Sequence, residues 1–596
     1  MQPTMEILAI IEQNSAKNKD EVFTRLYRYL LRPDLYFIAY KKLYSNNGAS
    51  TKGVDDDTAD GFSTAKIEKI IKSLADESYT PRPARRTYIR KTNGKLRPLG
   101  IPTFTDKLVQ EVLRMIIEAV YEPVFLDCSH GFRPKRSCHT ALKDLKHQFH
   151  GTRWFVEGDI KGCFDNIDHA VLIGIIGNKI KDARLIKLLY KFLKAGYMED
   201  WRYNKTYSGT PQGGIISPLL ANVYLHELDK FVMQLKSDFD RPTSQHKTPE
   251  YNKLSSRAWR LKKKLKTATD EEKPLLLEAW KANKAEMLKI PSKSQTDKAI
   301  KYFRYADDFI IGVNGSKEDC QEIKNRLADF IGSFLKMELS NEKTLITHSN
   351  QYARFLGYDI RVRRSNVVKR SSAGFTKRTL NNMTELVIPF DKINKFLFEN
   401  GIIEQSKVNS ELKPIKRKSL LRLTDFEIVS TFNAELRGIC NYYHMASNFC
   451  HFSYFAYFME YSCLKTLATK HKSSIRKVVA KYKDGQGKWA IPHETKNGEK
   501  LLYFAKYADC KKVKNPTDRI SNAAVINKTA ITTFESRLAA KVCELCGTTE
   551  SEHYEIHHVN KLKNLNGKKH WEIVMIAKRR KTLVVCRECH HKIHNQ

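Results

Sequence analysis

The sequence has no long apolar run. No window approaches eighteen uninterrupted apolar residues, so a membrane-spanning helix is not expected. The opening MQPTMEILAIIEQNSAKNKD has neither a basic flank nor a long apolar core, which argues against a secretory signal and for a cytoplasmic location. No internal repeat is present, so a repeat array is not expected. Acidic residues are scarce relative to basic ones: 66 Asp plus Glu against 104 Lys plus Arg, a formal net charge of +38. So basic a chain attracts polyanions at long range, and an excess this large favours nucleic acid over a merely soluble basic surface.

What is present rules out global disorder. Hydrophobic residues make up 41% of 596, enough to bury real cores, and the length suggests roughly three to five domains. Of 12 cysteines, eight are scattered singly: Cys128, Cys138, Cys163, Cys320, Cys440, Cys450, Cys463 and Cys510. They read as buried thiols in a reducing compartment. The other four cluster at the C-terminus.

Periodicity and punctuation divide the chain. Residues 1–75 read as helical, with a basic amphipathic EVFTRLYRYLL. Residues 76–235 alternate strand-like and helix-like stretches, punctuated at KLRPLGIP and GTPQGG. Residues 236–297 are Lys/Glu-rich with helical spacing and read as an exposed helical insertion. Strand patterns return over 298–362, followed by a basic connector, RVRRSNVVKRSSAGFTKR. Residues 385–485 are helical and aromatic-rich. Residues 486–540 carry Gly and Lys with little apolar periodicity, and 541–596 form a compact Cys/His module. The class is α+β and multidomain.

YFRYADDFII, residues 302–311, places Asp307 and Asp308 side by side in an apolar run. Neighbouring carboxylates repel, and burying either as a lone charge is costly. The pattern predicts strand, tight turn, strand, with the pair at the bend. Upstream, RWFVEGDIKGCFDNIDH predicts a strand from Trp154 that ends at Asp159. Asp168 reads as an N-cap and Asp165 as a local turn residue. Asp159 has no such structural explanation. If the two strands are neighbours, Asp159, Asp307 and Asp308 meet at one sheet edge and need divalent cations. Two Mg²⁺ ions suit phosphoryl chemistry by in-line displacement. Ser217 and Pro218 read as N-cap and N1 of the next helix.

YADD with GDIKGCFD resembles the reverse transcriptase palm. The fuller ordered set, KLRPLGIPTFTDKLVQE, HGFRPKRSCHTAL, SGTPQGGIISPLLANVYLHELD, YADDFIIGV and FLGYDI, is similar to group II intron-encoded proteins, notably the bacterial LtrA type. The resemblance runs the whole chain. It implies right-hand polymerase fingers and palm over 76–362, a helical thumb or X domain over 385–485, a DNA-binding region over 486–540 and an HNH nuclease from 541. It implies that Asp159 and Asp307 bridge both metals and Asp308 supports one. Phe164 matches a steric gate against the 2′-OH, with core packing an open alternative. Gly209, Gly213 and Gly214 would allow close backbone approach to a nucleotide, and Gln212 would hydrogen-bond there. By the same resemblance Arg97 contacts the incoming nucleotide or template and Lys343 assists the pyrophosphate leaving group; in isolation either reads as a surface charge. Arg437, Asn441 and Tyr442 fall in RGICNYY, which resembles the maturase signature. The N-terminal basic helices would anchor intron RNA.

At the C-terminus, Cys543 and Cys546 with Cys586 and Cys589 have the knuckle spacing of a structural Zn²⁺ site. His590 and His594 lie one helical turn apart and, with His557, could hold one divalent ion, leaving His558 as general base. This resembles the HNH endonuclease module. One position departs from that pattern: Thr582 stands where the family has Asn, with Asn560 a steric substitute to consider. A structural zinc knob with surface histidines is the plainer alternative.

The expected activities are RNA-dependent DNA polymerisation by target-primed copying, maturation of the intron RNA, and nicking of one DNA strand to make the primer. The expected partners are group II intron RNA, double-stranded target DNA and deoxynucleoside triphosphates, with no membrane. The alternatives are a splicing-only RNA-binding maturase, a retron or defence-type reverse transcriptase, and a plain HNH nuclease.

Overall fold

The computed structural model describes residues 3–595, apart from 47, 91–93, 95, 200–201, 205–208, 210–212, 242–246, 291, 293–297, 341, 366, 371–375, 379–381, 407–409, 496–497 and 512–532. Its centre is an antiparallel four-stranded sheet. The strands lie in the order Ala299–Tyr305, Asp308–Asn314, Trp154–Asp159, Ile346–His348. Side chains alternate along each strand, and both faces are buried. Ile300, Tyr302, Ile311, Val313 and Val156 point into one core. Phe155, Phe303 and Ile310 point into the other.

The first core joins the sheet to the deeply embedded helix Phe104–Tyr121, the helix Ser217–Phe239, the N-terminal helices and the C-terminal module. Thr103 caps the Phe104–Tyr121 helix by accepting from the Asp106 N–H at 3.1 Å. The second core joins the sheet's other face to the three strands Ala353–Phe355, Tyr358–Val362 and Thr384–Val387. It continues into the helices Asp425–Tyr442 and Phe452–Lys470. A second four-stranded sheet is ordered Leu96–Ile101, Ala84–Arg90, Tyr197–Glu199, Arg202–Asn204. Among the described residues no helix is long and apolar enough to cross a membrane.

Several sequence expectations change in detail. Ile216 already has helical backbone angles, so Ser217 is the first helical residue, not an N-cap. That same helix continues to Phe239, past the expected start of the insertion. The insertion itself is a helical hairpin of Pro249–Thr267 and Lys273–Lys289, with Trp259 and Leu275 exposed. The aromatic helical region also contains a small hairpin of Ile403–Gln405 with Leu412–Pro414. The 486–540 stretch contains another, Ala490–Thr495 with Gly498–Tyr503. The basic connector forms a short ladder between Val368–Arg370 and Thr376–Arg378. Of the eight scattered thiols, Cys450 is exposed and Cys128 and Cys138 are half-buried, so burial does not explain those three.

Candidate active sites

The strand Trp154–Asp159 pairs in antiparallel register with Asp308–Asn314, and the Cα partner of Asp159 is Asp308. Tyr305 pairs with Asp308 across the preceding hairpin, which leaves Ala306 and Asp307 as a two-residue turn. Ala306 has φ +56, a left-handed conformation that a side chain disfavours. Two neighbours hold it. The loop at His130 and Gly131 lies directly beneath; a Cβ on Gly131 would sit 2.3 Å from the Ala306 nitrogen, so only glycine fits. The Arg304 guanidinium donates to the Ala306 carbonyl at 2.9 Å.

Arg304 is fully buried and ion-paired with the equally buried Asp229, at 2.7 Å from Nε and 2.6 Å from a terminal nitrogen. It also donates to Asn222 and Ser129, and the Tyr302 hydroxyl completes the shell of Asp229 at 2.9 Å. Nothing in the sequence pattern singled out Arg304 or Asp229; the only signal was a charged residue at a core position of an apolar strand.

On the solvent side, Lys343 donates to Asp159 at 2.8 Å. That bond, with the surrounding carboxylates, raises the Lys343 ammonium above its ordinary range and keeps it charged. Burial raises the Asp307 carboxyl, repulsion from Asp159 adds to it, and Lys343 and Arg97 oppose it. Arg97 itself is exposed on the Leu96–Ile101 strand, within electrostatic reach of the turn. Asp308 keeps an exposed face, but the atoms crowding its carboxyl push it up to about 7. A hydrogen bond shared with Asp159 and repulsion from Asp307 and Asp159 contribute. Asp307 and Asp308 therefore do not ionise freely without added positive charge. This is the electrostatic fit expected of a divalent-cation site. Their oxygens and those of Asp159 are not gathered as tightly as the two ligand sets described below.

Phe164 is half-buried and meets Phe132 edge to face, with centroids 6.0 Å apart. Phe132 was missed by sequence reasoning; it is half-exposed and has φ +56, in the HGFRPKR loop. Gly213, at φ +115, is pressed against the Leu96–Ile101 strand, where a Cβ would approach the Gly100 carbonyl to 2.4 Å. The Gln110 side chain holds the same loop by accepting from the Ile215 N–H at 2.8 Å. Gln212 lies outside the described residues. Asp168 is an N-cap, accepting from the Val171 N–H at 2.9 Å, and Asp165 closes a local turn with Gly162.

In the second core, the Tyr442 hydroxyl donates to the Leu356 carbonyl at 2.6 Å, and its own carbonyl accepts from His139 and Tyr358. Tyr442 thus pins the Asp425–Tyr442 helix to the FLGY turn. Arg437 is exposed and Asn441 half-buried on the same helix.

The C-terminal module pairs Tyr554–His558 with Thr582–Cys586 and follows with the helix Arg587–Asn595. The sulfurs of Cys543, Cys546, Cys586 and Cys589 lie within 4.8 Å of one another. Backbone N–H groups offset the burial of Cys543 and bring its thiol down to about 7, toward the thiolate a metal requires. A second ligand set, also within 4.8 Å, contains His557, His590 and His594 as expected, plus Asp60 from the other end of the chain. The Nε2 atoms of His590 and His594 face each other at 3.2 Å. Buried His557 has no hydrogen bond at either ring nitrogen. Orphaned, converging imidazole nitrogens are what a metal ion would satisfy. Glu555 holds the other nitrogen of His590 at 2.5 Å. His558 is not a member of this set; its ring lies edge-on to Tyr44. Burial lowers its pKa and favours the neutral imidazole. Thr582 is the cross-strand partner of His558, and its hydroxyl and carbonyl accept from Arg537. The Asn560 side-chain oxygen accepts from the Ser50 hydroxyl at 2.7 Å.

Residues 89–243 match the family model described as reverse transcriptase (RNA-dependent DNA polymerase). Residues 381–530 match type II intron maturase, and 543–590 match AI2M/AI1M-like HNH endonuclease. The chain is 62% identical over its whole length, and the whole of the relative's, to the group II intron-encoded protein LtrA of Lactococcus lactis subsp. cremoris. It is 38% identical to an uncharacterized 91 kDa protein in the cob intron of Schizosaccharomyces pombe, covering 95% of this chain and 69% of that one. It is 32% identical to a putative COX1/OXI3 intron 2 protein of Saccharomyces cerevisiae, covering 99% and 68%. With reverse transcriptase, maturase and HNH endonuclease parts in one full-length match, the chain belongs to the group II intron-encoded protein family.

Proposed function

We infer that the Asp159, Asp307 and Asp308 site copies RNA into DNA, with a primer 3′-OH attacking a deoxynucleoside triphosphate. The observation that carries this is the register that sets Asp159 opposite Asp308, with Asp307 on the adjoining turn. In this reading residues 76–362 are the fingers and palm and 385–485 the thumb. Two Mg²⁺ held by these carboxylates would neutralise the triphosphate and activate the primer hydroxyl. The residues of the chain do the rest. Phe164, backed by Phe132, presents a ring to the sugar and excludes a 2′-OH. Gly213 lets the backbone approach the nucleotide, with Gln212 beside it. Lys343 neutralises charge on the departing pyrophosphate, and Arg97 holds the template or nucleotide. The test is the double substitution Asp307→Ala with Asp308→Ala, which abolishes primer extension while intron RNA binding and splicing persist. Residual deoxynucleotide incorporation would refute the assignment.

The aromatic helix offers Tyr454, Tyr457 and Tyr461 exposed at helical spacing, a stacking surface for duplex or intron RNA. The N-terminal helices anchor intron RNA, and 486–540 contacts target DNA. The Cys set holds structural Zn²⁺. In the nuclease, His557, His590 and His594 would hold a divalent ion, which would supply positive charge for the leaving 3′ oxygen, and neutral His558 takes the proton from water. The nick supplies the primer, so both sites serve one target-primed reaction. Retention of the carboxylates on their hairpin favours this over a splicing-only maturase, and the full-length match disfavours a retron-type enzyme.

A further inference from the structure

Asp60 is separated from the nuclease histidines by nearly the whole chain, yet it stands inside their ligand set. Its Oδ2 lies 2.7 Å from His594 Nε2. Its Oδ1 lies 3.3 Å from His590 Nε2 and 3.2 Å from His557 Nδ1, the latter without hydrogen-bond alignment. Oδ1 also accepts the backbone N–H of His558 at 2.7 Å.

The segment carrying Asp60 is built onto the nuclease hairpin. Phe62 makes an antiparallel bridge to Ile556, with Gly61 N–H donating to the Ile556 carbonyl at 3.0 Å and Ile556 N–H to the Phe62 carbonyl at 2.9 Å. This adds a short edge to Tyr554–His558, whose other edge is paired with Thr582–Cys586. Phe62 stacks on Tyr40 at 3.9 Å, so the bridge is rooted in the N-terminal helices. Ser50 reaches Asn560, and Tyr44 packs edge-on to His558. Three imidazoles and one carboxylate, with two orphaned nitrogens on His557, make a four-donor set of N and O atoms.

We propose that Asp60 is a ligand of the nuclease ion, supplied by the N-terminal segment. The ion then staples the two ends of the chain together. The nuclease site is complete only when its hairpin is docked on residues 44–62, a region placed beside the RNA-anchoring helices. The proposal rests on the reading that His557, His590 and His594 hold an ion.

The test uses full-length protein loaded with Mn²⁺. Nitrogen modulation in the electron spin echo reports only imidazole-bound Mn²⁺, so the carboxylate site of the polymerase does not contribute. Asp60→Asn keeps the size and a hydrogen-bond acceptor for the His558 N–H while removing the charge, which guards against loss of fold; His594→Ala is the control. The imidazole-bound Mn²⁺ should dissociate at least roughly 10-fold more readily in Asp60→Asn. Mn²⁺ should slow amide exchange at Gly61 and Ile556 in the unsubstituted protein and not in Asp60→Asn. If His594→Ala weakens the signal while Asp60→Asn binds within about twofold of the parent, the proposal is overturned and the histidine site stands. If neither substitution changes it, the histidine site falls and takes the proposal with it. Equal Mn²⁺ protection of Gly61 and Ile556 in Asp60→Asn also overturns it.

Discussion

Arg304→Met separates two functions of one guanidinium. Arg304 pairs with Asp229 where both side chains are completely excluded from solvent, and it also donates to the Ala306 carbonyl at 2.9 Å. Removing one partner of a buried pair leaves the other charge uncompensated and costs about 3–5 kcal/mol. The orphaned Ala306 and Asn222 acceptors add on the order of 1 kcal/mol or more each. The single substitution should therefore destabilise the central sheet severely. Pairing it with Asp229→Leu replaces the ion pair by apolar groups, an exchange that is often neutral or better by about 1–4 kcal/mol. Stability should return in the double variant.

Polymerisation should not return with it. Ala306 sits at φ +56, where the Arg304 bond and the Gly131 contact hold it between the paired Tyr305 and Asp308. Without the guanidinium the turn can relax toward an unstrained conformation, and Asp307 moves with it. A displacement of about 1 Å in a reacting group can cost roughly 100-fold in rate. We expect the double variant to unfold near the parent's temperature and yet extend a DNA primer on RNA about 100-fold more slowly in single-turnover measurements. A double variant that recovers both stability and extension would mean that Arg304 merely neutralises Asp229, and the positioning argument would be wrong.

Phe164→Val should admit ribonucleotides, measured as a fall of 10-fold or more in the ratio of deoxynucleotide to ribonucleotide incorporation; an unchanged ratio would leave Phe164 as packing. His558→Ala should stop DNA nicking with zinc content unchanged, whereas Cys586→Ser should lose the zinc and with it the nuclease fold, read by metal analysis and limited proteolysis. Buried His130 and His226 have pKa values lowered to about 4, mainly by burial, with nearby arginines adding at His130 and neighbouring cations at His226. Their folded values lie below the unfolded one, so they stabilise nothing on charging. Stability is full above about pH 6.5 and falls as pH drops toward 4, by roughly 2 kcal/mol per histidine at pH 5. Imidazole NMR should find both still neutral at pH 5, and titration near 6.5 would refute the burial argument.

The candidate reacting groups were legible in the sequence because chemistry constrains spacing inside one element. Asp159 ends a strand, Asp307 sits in the hairpin turn and Asp308 opens the next strand one residue past the expected bend, two CxxC pairs form knuckles, and His590 and His594 share a helical face. Their supports were not legible. Arg304 and Asp229 belong to different elements, and a pair set by packing leaves no periodic trace. Asp60 lies in an acidic stretch whose destination depends on how residues 61 and 62 bridge to Ile556. Ser217 illustrates the smaller error: Ser-Pro is a sound start signal, but helical geometry at Ile216 moved the boundary by one residue. The adjacent aspartates in YADD are supported by two cations in different ways. Lys343 pairs with Asp159 on the solvent side and opposes the upward shift of Asp307 and Asp308. Arg304 has its charge matched by Asp229 and acts from beneath through its hydrogen bond to the Ala306 carbonyl. The buried cation therefore fixes the turn that carries Asp307, and the exposed one supplies the counter-charge.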